Sequence, residues 1–374
     1  MLRTFQFRIY PSNKTEKKLL ETIETCKNVY NKLLETKIIS YKNEKKSPSK
    51  FDCNKLIKTL KIENVHSQVL QNISDRVDKA YKNFFRRIKS GEKHGFPRFK
   101  SFGRYKSFTF PQSGFKLDGN QLKISKIGHM KIKKHRELEG RIKTCTIKRN
   151  SLNQWYVNFT CEIDKEIKKS TNKKSIGIDV GCSKFAVLST SSEIEHPKCY
   201  KKSEKKLKKV QQKYSKMKHV AKTNKKKTKT KKQLNKIHNK VANQRKDFLH
   251  KESRKLVNKF GIICVEKLNI KSMTHNNFKN LNKSILDSGW DQFRQYLAYK
   301  AEEAGKLLVE VDPRNTSKIC SNCGKLVDKT LADRVHKCEC GFECDRDLNA
   351  AINILRIGAD SLGNVLDAST IAKA

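Results

Sequence analysis

At roughly 100 to 200 residues per domain, a chain of 374 residues holds two or three domains and at least one sizeable core. Lys and Arg number 84 against 37 Asp and Glu, a formal charge of +47, or about one excess positive charge for every eight residues. Self-repulsion of that size is relieved when a polyanion exchanges its condensed counterions for Lys and Arg, so nucleic acid is the leading partner. The longest apolar stretches run to about five residues, far short of the roughly 18 that a spanning helix needs, which excludes a transmembrane-helix protein.

Phe5, Phe7 and Ile9 alternate with polar neighbours and predict a strand stopped at Pro11, with no continuous apolar core of the kind a secretion signal carries. Ser12 with Glu16 marks a helix start, and Leu19, Leu20, Ile23, Cys26, Val29, Tyr30, Leu33 and Leu34 recur at helical spacing. A second helical stripe runs from about Ser67 to Lys89. From Gly95 the pattern turns loop-like. Alternating segments then follow at Ser107 to Phe110, Gln121 to Ile124, His129 to Ile132, Ile142 to Arg149 and Trp155 to Ile163. They predict a small barrel or sandwich that the first strand joins, with the helices inserted between.

A second core begins at Ser175, where a buried-type strand ends at Gly181 and Lys184 to Ser189 forms its hairpin partner. Residues 201 to 232 contain 16 Lys and one acid, which predicts a long solvated helix with a disordered break near Thr223 to Thr230. A helical stripe from Ile237 to Val257 leads into the apolar strand Ile262 to Glu266. A helix around Trp290 to Tyr299, a strand at Leu307 to Val311 and an amphipathic helix at Leu348 to Ile357 complete the order. Beyond Gly358 the tail is small, polar and expected to fray.

Of the 12 cysteines, five lie between Cys320 and Cys344 and the others are scattered singly, a distribution that favours a reduced compartment and a metal site. Cys320 and Cys323 form one close pair and Cys338 and Cys340 another, 14 residues apart, each followed by glycine. Two such knuckles gather four thiolates around one zinc ion, and four protein ligands make the ion structural. The second pair is tighter than usual, and Cys344 lies close enough to substitute for Cys338, with His336 a weaker spare. Five reduced cysteines without metal are the plainer alternative.

Asp179 interrupts an apolar strand, Glu266 closes one, and Asp347 begins a helix beside Arg346. Singly, each reads as a solvated strand-end acid or a helix cap. Together they offer hard oxygen ligands from separate elements, as phosphodiester hydrolysis by two Mg²⁺ ions about 3.5 to 4 Å apart requires.

These residues resemble the TnpB/Fanzor family, the RNA-guided nucleases of transposable elements related to type V CRISPR effectors. The likeness covers about residues 1 to 357. It runs from Phe5-Gln-Phe-Arg-Ile-Tyr-Pro11, Cys26-Lys-Asn-Val-Tyr-Asn31, Gly95-Phe-Pro-Arg-Phe-Lys-Ser101 and Trp155-Tyr-Val-Asn-Phe159 into the second half. There Gly177-Ile-Asp-Val-Gly181 resembles the first RuvC motif, Val265-Glu-Lys-Leu-Asn269 the second, with Asn243-Gln-Arg-Lys-Asp-Phe-Leu-His250 as the helix before it. Thr316-Ser-Lys-Ile-Cys-Ser-Asn-Cys-Gly324 resembles the first zinc knuckle, and Asp345-Arg-Asp-Leu-Asn-Ala-Ala-Ile-Asn-Ile354 the third RuvC motif.

The resemblance implies an α/β plus all-β chain. An RNase H-like RuvC nuclease domain (171–315 and 345–358) would carry an inserted zinc ribbon (316–344). Before it would come a wedge-like β-barrel (1–10 and 95–170) with an inserted helical recognition lobe (11–94), and after it a flexible tail (359–374). Asp179, Glu266 and Asp347 become ligands of two catalytic Mg²⁺ ions, and Cys320, Cys323, Cys338 and Cys340 those of one structural Zn²⁺. The implied activity is RNA-guided cleavage of target DNA at a single RuvC site. A guide RNA made from the element's end supplies the sequence information, and the protein reads a short flanking motif in double-stranded target DNA.

Arg86, Arg87, Arg98, Lys100 and Arg104 are the candidate phosphate contacts, with Phe84, Phe96, Phe99 or Tyr105 to stack on bases. A monomer with one RNA and no membrane is expected, in the cytoplasm or nucleoid of a prokaryote or the nucleus of a eukaryote. The alternatives are a cleavage-inactive RNA-guided regulator, a non-enzymatic zinc-ribbon RNA-binding protein and a transposase proper. The acids argue against the first, and the second leaves the motifs around Asp179 and Asp347 unexplained.

Overall fold

The computed structural model describes residues 1–164, 166–220, 224–275, 278–330 and 333–363, without the side chains of 218–220 and 224. The chain divides into two compact units, residues 1–165 and 166–374.

The first unit opens with strand β1 (Leu2–Tyr10), followed by helices α1 (Asn13–Glu44), α2 (Lys50–Thr59) and α3 (Ser67–Lys89). Strands β2 (Ser107–Phe110), β3 (Phe115–Asp118), β4 (Gln121–Ile124), β5 (Gly128–Lys133), β6 (Arg141–Arg149) and β7 (Trp155–Glu162) follow. They form one antiparallel seven-stranded sheet in the order β2-β6-β7-β1-β5-β4-β3. The first strand therefore joins a sheet whose other members come after the helices. The two edge strands are consecutive in the chain, and Phe110 and Phe115 meet with ring centroids 6.4 Å apart, so the sheet is nearly closed. Phe5, Phe7, Phe108, Phe110 and Phe159 are each at most 1% exposed. Burial of such side chains is worth about 1.5 to 3 kcal/mol apiece.

Polar clamps tie helices to this sheet. Ser12 caps α1 by accepting from the Thr15 amide, and Glu16 in the same turn accepts from Trp155 Nε1 at 2.9 Å. Arg76 on α3 donates to the Ser107 carbonyl at 2.6 Å and to Thr109 Oγ1 at 2.9 Å.

The second unit contains β8 (Ser175–Val180), β9 (Ala186–Leu188), β10 (Glu193–Ile194), α4 (Cys199–Val220), α5 (Asn224–Lys259) and β11 (Ile262–Glu266). It continues with α6 (Ile270–Met273), α7 (Lys279–Ser288), α8 (Trp290–Glu303), β12 (Leu307–Val311), β13 (Val335–Lys337), β14 (Glu343–Asp345) and α9 (Arg346–Ser361). The sheet order is β10-β9-β8-β11-β12, with β8, β11 and β12 parallel and the other pairs antiparallel. Alternation along β11 sends Ile263 and Val265 into a core with Leu249, Leu256, Phe293 and Leu297 of α5 and α8. Ile262 and Cys264 face Ile354 and Leu355 of α9 on the other side. The sheet is thus covered on both faces, as parallel strands require.

Two expectations change here. The break expected near Thr223 to Thr230 is helical from Asn224 onward, and residues 221–223 lie outside the described residues. Leu207, Val210 and Ile237 form a narrow apolar seam between α4 and α5, and Thr230 is buried with its hydroxyl donating to the Lys226 carbonyl. That seam orders a segment whose charge alone argued for disorder. Residues 359–361, assigned to the tail, belong to α9, and residues 364–374 lie outside the described residues. Among the described residues no helix is long and apolar enough to cross a membrane.

Candidate active site and metal centre

Asp179 is the penultimate residue of β8 and Glu266 the last of β11. These strands are parallel neighbours, with Val265 opposite Ile178, so both carboxylates emerge at the same, C-terminal edge of the sheet. That edge is where open α/β sheets place their ligands. Helix α9 brings the third acid. It packs so closely on the sheet that a Cβ on Gly177 would overlap the Ala351 carbonyl oxygen and one on Gly358 would overlap Cys264 Sγ. The second residue of that helix is Asp347.

Asp179 thereby lies within electrostatic reach of both Glu266 and Asp347. Burial, followed by the charges of Glu266 and Asp347, holds Asp179 well above the usual carboxylate range, against the opposing charge of Arg346. Burial also raises Glu266, while a hydrogen bond from Thr316 works in the other direction. The helix-cap reading of Asp347 is taken over by Asp345, whose Oδ1 accepts from the Asp347 amide at 2.8 Å and the Leu348 amide at 3.3 Å. Asp347 Oδ1 instead accepts from Arg346 Nε at 3.2 Å and Nη2 at 3.1 Å. Carboxylates are hard oxygen donors, the class of ligand that Mg²⁺ takes.

The other centre lies in the segment between β12 and α9. Sγ atoms of Cys320, Cys323, Cys338 and Cys340 all lie within 4.8 Å of one another. Cys323 and Cys338 are 3.5 Å apart, and Cys320 and Cys340 3.8 Å. A tetrahedron with zinc–sulfur arms of about 2.3 Å has edges of about 3.8 Å, so the donor set fits zinc. Each knuckle closes through its backbone: the Gly324 amide donates to the Cys320 carbonyl at 2.9 Å, and the Gly341 amide to the Cys338 carbonyl at 3.0 Å. Both glycines hold the left-handed conformation, with φ of 78° and 84°. The Phe342 amide holds the Cys340 thiol down at about 6. Cys344 stands outside the group; it pairs with His336 across the β13–β14 hairpin, and its thiol donates to the Asp345 carbonyl at 3.4 Å. His336 is fully buried beneath that hairpin, in contact with Lys329.

Sequence reasoning missed the side chains that join these two centres. Thr316 Oγ1 donates to Glu266 Oε1 at 2.6 Å. Asn353 Nδ2 donates to the carbonyls of Thr316 at 2.9 Å and Ile319 at 2.6 Å, and Asn349 Nδ2 to that of Ile319 at 2.8 Å. All three fall inside motifs already singled out, but nothing in the spacing pairs Thr316 with an acid 50 residues away or the asparagines with the loop that carries it.

The candidate nucleic-acid contacts lie in the first unit. Arg86 and Arg87 are exposed in the last turn of α3, and Arg86 pairs with Glu92 at 3.3 Å. Arg98 and Arg104 are exposed, as are Phe96 and Phe99, whereas Phe84 is half-buried. Lys100 is half-buried, its ammonium 5.6 Å from the Tyr30 ring centroid. Tyr105 is a correction. It is 6% exposed, packs on Tyr30 and lies 3.3 Å from Arg76 Nη1, which leaves no ring face for a base.

Three family descriptions match the chain: "Helix-turn-helix domain" over residues 1–46, "Probable transposase" over 158–277 and "Cas12f1-like, TNB domain" over 290–354. Over the first, the structure holds β1 and the uninterrupted helix α1. A "Putative RNA-guided DNA endonuclease" of Streptomyces pristinaespiralis is 30% identical over 369 residues, covering 95% of this chain and 89% of that protein. The "Putative RNA-guided DNA endonuclease InsQ" of Escherichia coli (strain K12) is 29% identical over 383 residues, covering 96% and 92%. Among solved structures, the protein of a Cas12f1–sgRNA–target DNA complex shares the fold, with a TM-score of 0.61 at 15% identity over 95% of this chain and 98% of that one.

Proposed function

The chain belongs to the TnpB/IS605 family, and on that premise we propose that it is an RNA-guided, Mg²⁺-dependent DNA endonuclease with a single RuvC-type site. The observation that carries this reading is the position of Asp179 and Glu266 at neighbouring parallel strand ends and of Asp347 in the first turn of the helix packed against them. Relatives named as RNA-guided DNA endonucleases over nearly their whole length support it.

In this reading the three carboxylates hold two divalent ions, which supply an activated water and stabilise the leaving oxygen. Asp179 and Glu266 are fixed by the sheet and Asp347 by the close seat of α9, so little reorganisation is needed at the moment of reaction. Arg346 balances part of the carboxylate charge. Cys320, Cys323, Cys338 and Cys340 hold a structural zinc ion in a ribbon of residues 316–344, inserted in an RNase H-like domain of residues 171–315 and 345–361. Residues 1–10 and 95–164 form the wedge-like barrel and 11–94 the recognition lobe. The basic surface, with Arg86, Arg87, Arg98, Lys100 and Arg104 as candidates, holds the backbone of the guide RNA and of its duplex with target DNA. One protein chain works with one RNA.

The test is to purify the protein from cells carrying its native flanking DNA, sequence the associated RNA and programme it against a DNA target. A discrete RNA with a variable end, Mg²⁺-dependent cutting and loss of cutting in Asp179→Ala with guide and target binding retained are the expected results. Cutting that survives in Asp179→Ala rejects the assignment, and a heterogeneous smear of cellular RNA favours a non-enzymatic RNA-binding protein.

A further inference from the structure

We propose that Thr316 is a positioning residue for Glu266, and that α9, through Asn353 and Asn349, holds Thr316 in place. The proposal rests on the reading of Asp179, Glu266 and Asp347 as a metal-binding triad. Thr316 lies in the loop between β12 and the first knuckle and is 3% exposed. Its hydroxyl has one hydrogen and two acceptors in reach, Glu266 Oε1 at 2.6 Å and the Pro313 carbonyl at 3.2 Å. The carboxylate is both the closer and, when ionised, the stronger acceptor.

The support behind Thr316 is buried too. Asn349 is fully buried and Asn353 1% exposed. Asn353 donates to the Thr316 and Ile319 carbonyls, and Asn349 Oδ1 accepts from the Ser321 amide at 2.9 Å. The helix that presents Asp347 therefore grips the chain from Thr316 to Ser321, and that chain grips Glu266. Glutamate has three rotatable bonds, and at a strand end its carboxylate would otherwise sample several rotamers that an arriving ion must freeze out. Engaging one oxygen beforehand removes that cost. It also ties Glu266 and Asp347 to one rigid element, so the spacing of two ligands is set by the same contacts.

The experiment uses the full chain freed of nucleic acid at high salt, with Mn²⁺ as the probe, titrated by calorimetry. Thr316→Val, which keeps the shape and removes the hydroxyl, is expected to weaken Mn²⁺ binding by about 10- to 100-fold, the usual cost of losing a group that orients a metal ligand. Thr316→Ser, which restores the donor, is expected to return affinity to within about threefold of wild type, a rescue that a merely structural role would not produce. Zinc content and the thermal transition are measured alongside. Where Thr316→Val does not fold, Thr316→Ala removes the hydroxyl without adding bulk and carries the same expectation. Wild-type Mn²⁺ affinity in a folded Thr316→Val or Thr316→Ala overturns the proposal, provided that Asp179→Ala has lost the site. Equal loss in Thr316→Ser and Thr316→Val also overturns it. If Asp179→Ala binds Mn²⁺ like wild type, the metal-site reading itself fails.

Discussion

Gly177 and Ala351 touch backbone to backbone: a Cβ built on the glycine would overlap the alanine carbonyl oxygen. This contact seats α9 on β8 two residues before Asp179 and four residues after Asp347. Gly177→Ala should therefore push the helix outward. Overpacking of this kind costs about 1 to 3 kcal/mol, read as a lower urea midpoint. Because Asp347 rides on the helix, cutting should fall by more than the loss of folded protein accounts for. An unchanged midpoint with full cutting would mean that the helix is not held by this contact.

The cysteines separate cleanly in their expected behaviour. Cys338→Ser should release zinc, since its sulfur lies 3.5 Å from that of Cys323 within the group of four. Cys344→Ser should retain it, because that thiol points to the Asp345 carbonyl. Elemental analysis of the two purified variants decides, and zinc loss in Cys344→Ser alone would reverse the assignment. Removal of zinc by a chelator should lower the thermal transition of the second unit, as metal binding and folding are coupled in such knuckles.

Lys300 supplies a pH signature. It is 3% exposed on α8, donates to the His250 carbonyl and to Ser253 Oγ at 2.7 Å each, and lies 5.7 Å from the Tyr296 ring centroid. Burial, and then the neighbouring Arg254, lower its ammonium from 10.5 to about 8, with Glu303 opposing. Between these values the unfolded chain binds the proton that the folded one has released, so stability rises with pH across that window and the gain is lost as pH falls through about 8. Urea midpoints of wild type should therefore climb relative to Lys300→Met from pH 8 to 10. Parallel curves for the two proteins would refute the shift.

Tyr105 and Arg104 are adjacent in sequence and opposite in expected behaviour. Tyr105→Phe removes the hydroxyl beside Arg76 and should cost about 1 kcal/mol of stability while leaving nucleic-acid affinity unchanged. Arg104→Ala should leave stability alone and lower the salt dependence of RNA or DNA binding by about one ion released. Binding titrations at several salt concentrations test both, and a binding defect in Tyr105→Phe would restore that ring to the interface.

What the sequence disclosed followed from periodicity and motif spacing. Phe5, Phe7 and Ile9 alternate strictly because one face of β1 is buried, so the strand was legible. Phe115–Asp118 was not, since two apolar residues between glycines give too short a pattern. Nor was α2, whose buried face consists of Cys53 and Ile57 alone. The Lys-rich segment misled because charge density is local information, whereas the seam of Leu207, Val210 and Ile237 exists only once α4 and α5 meet. Asp179, Glu266 and Asp347 stood out as acids where apolar strands end or a helix begins, and the structure holds two at neighbouring strand ends and the third in the first turn of α9. Tyr105, set among basic residues, gave no local sign of burial. Thr316 and the two asparagines act through tertiary hydrogen bonds, which leave no imprint on spacing.

The seating of α9 also has a consequence for the order of events on the ribosome. Helix α9 follows every other described element of the second unit in the chain, yet it packs on β8, the first strand of that unit. A nascent chain that has already made Asp179, Glu266 and most of its basic surface still lacks the third acid and the helix that covers one face of the sheet. Synthesis at about 5 to 20 residues per second leaves that interval open for several seconds or more. If the three acids form the site, the chain can engage RNA during translation before it is able to cut DNA, and nuclease competence arrives only once α9 has been made and seated.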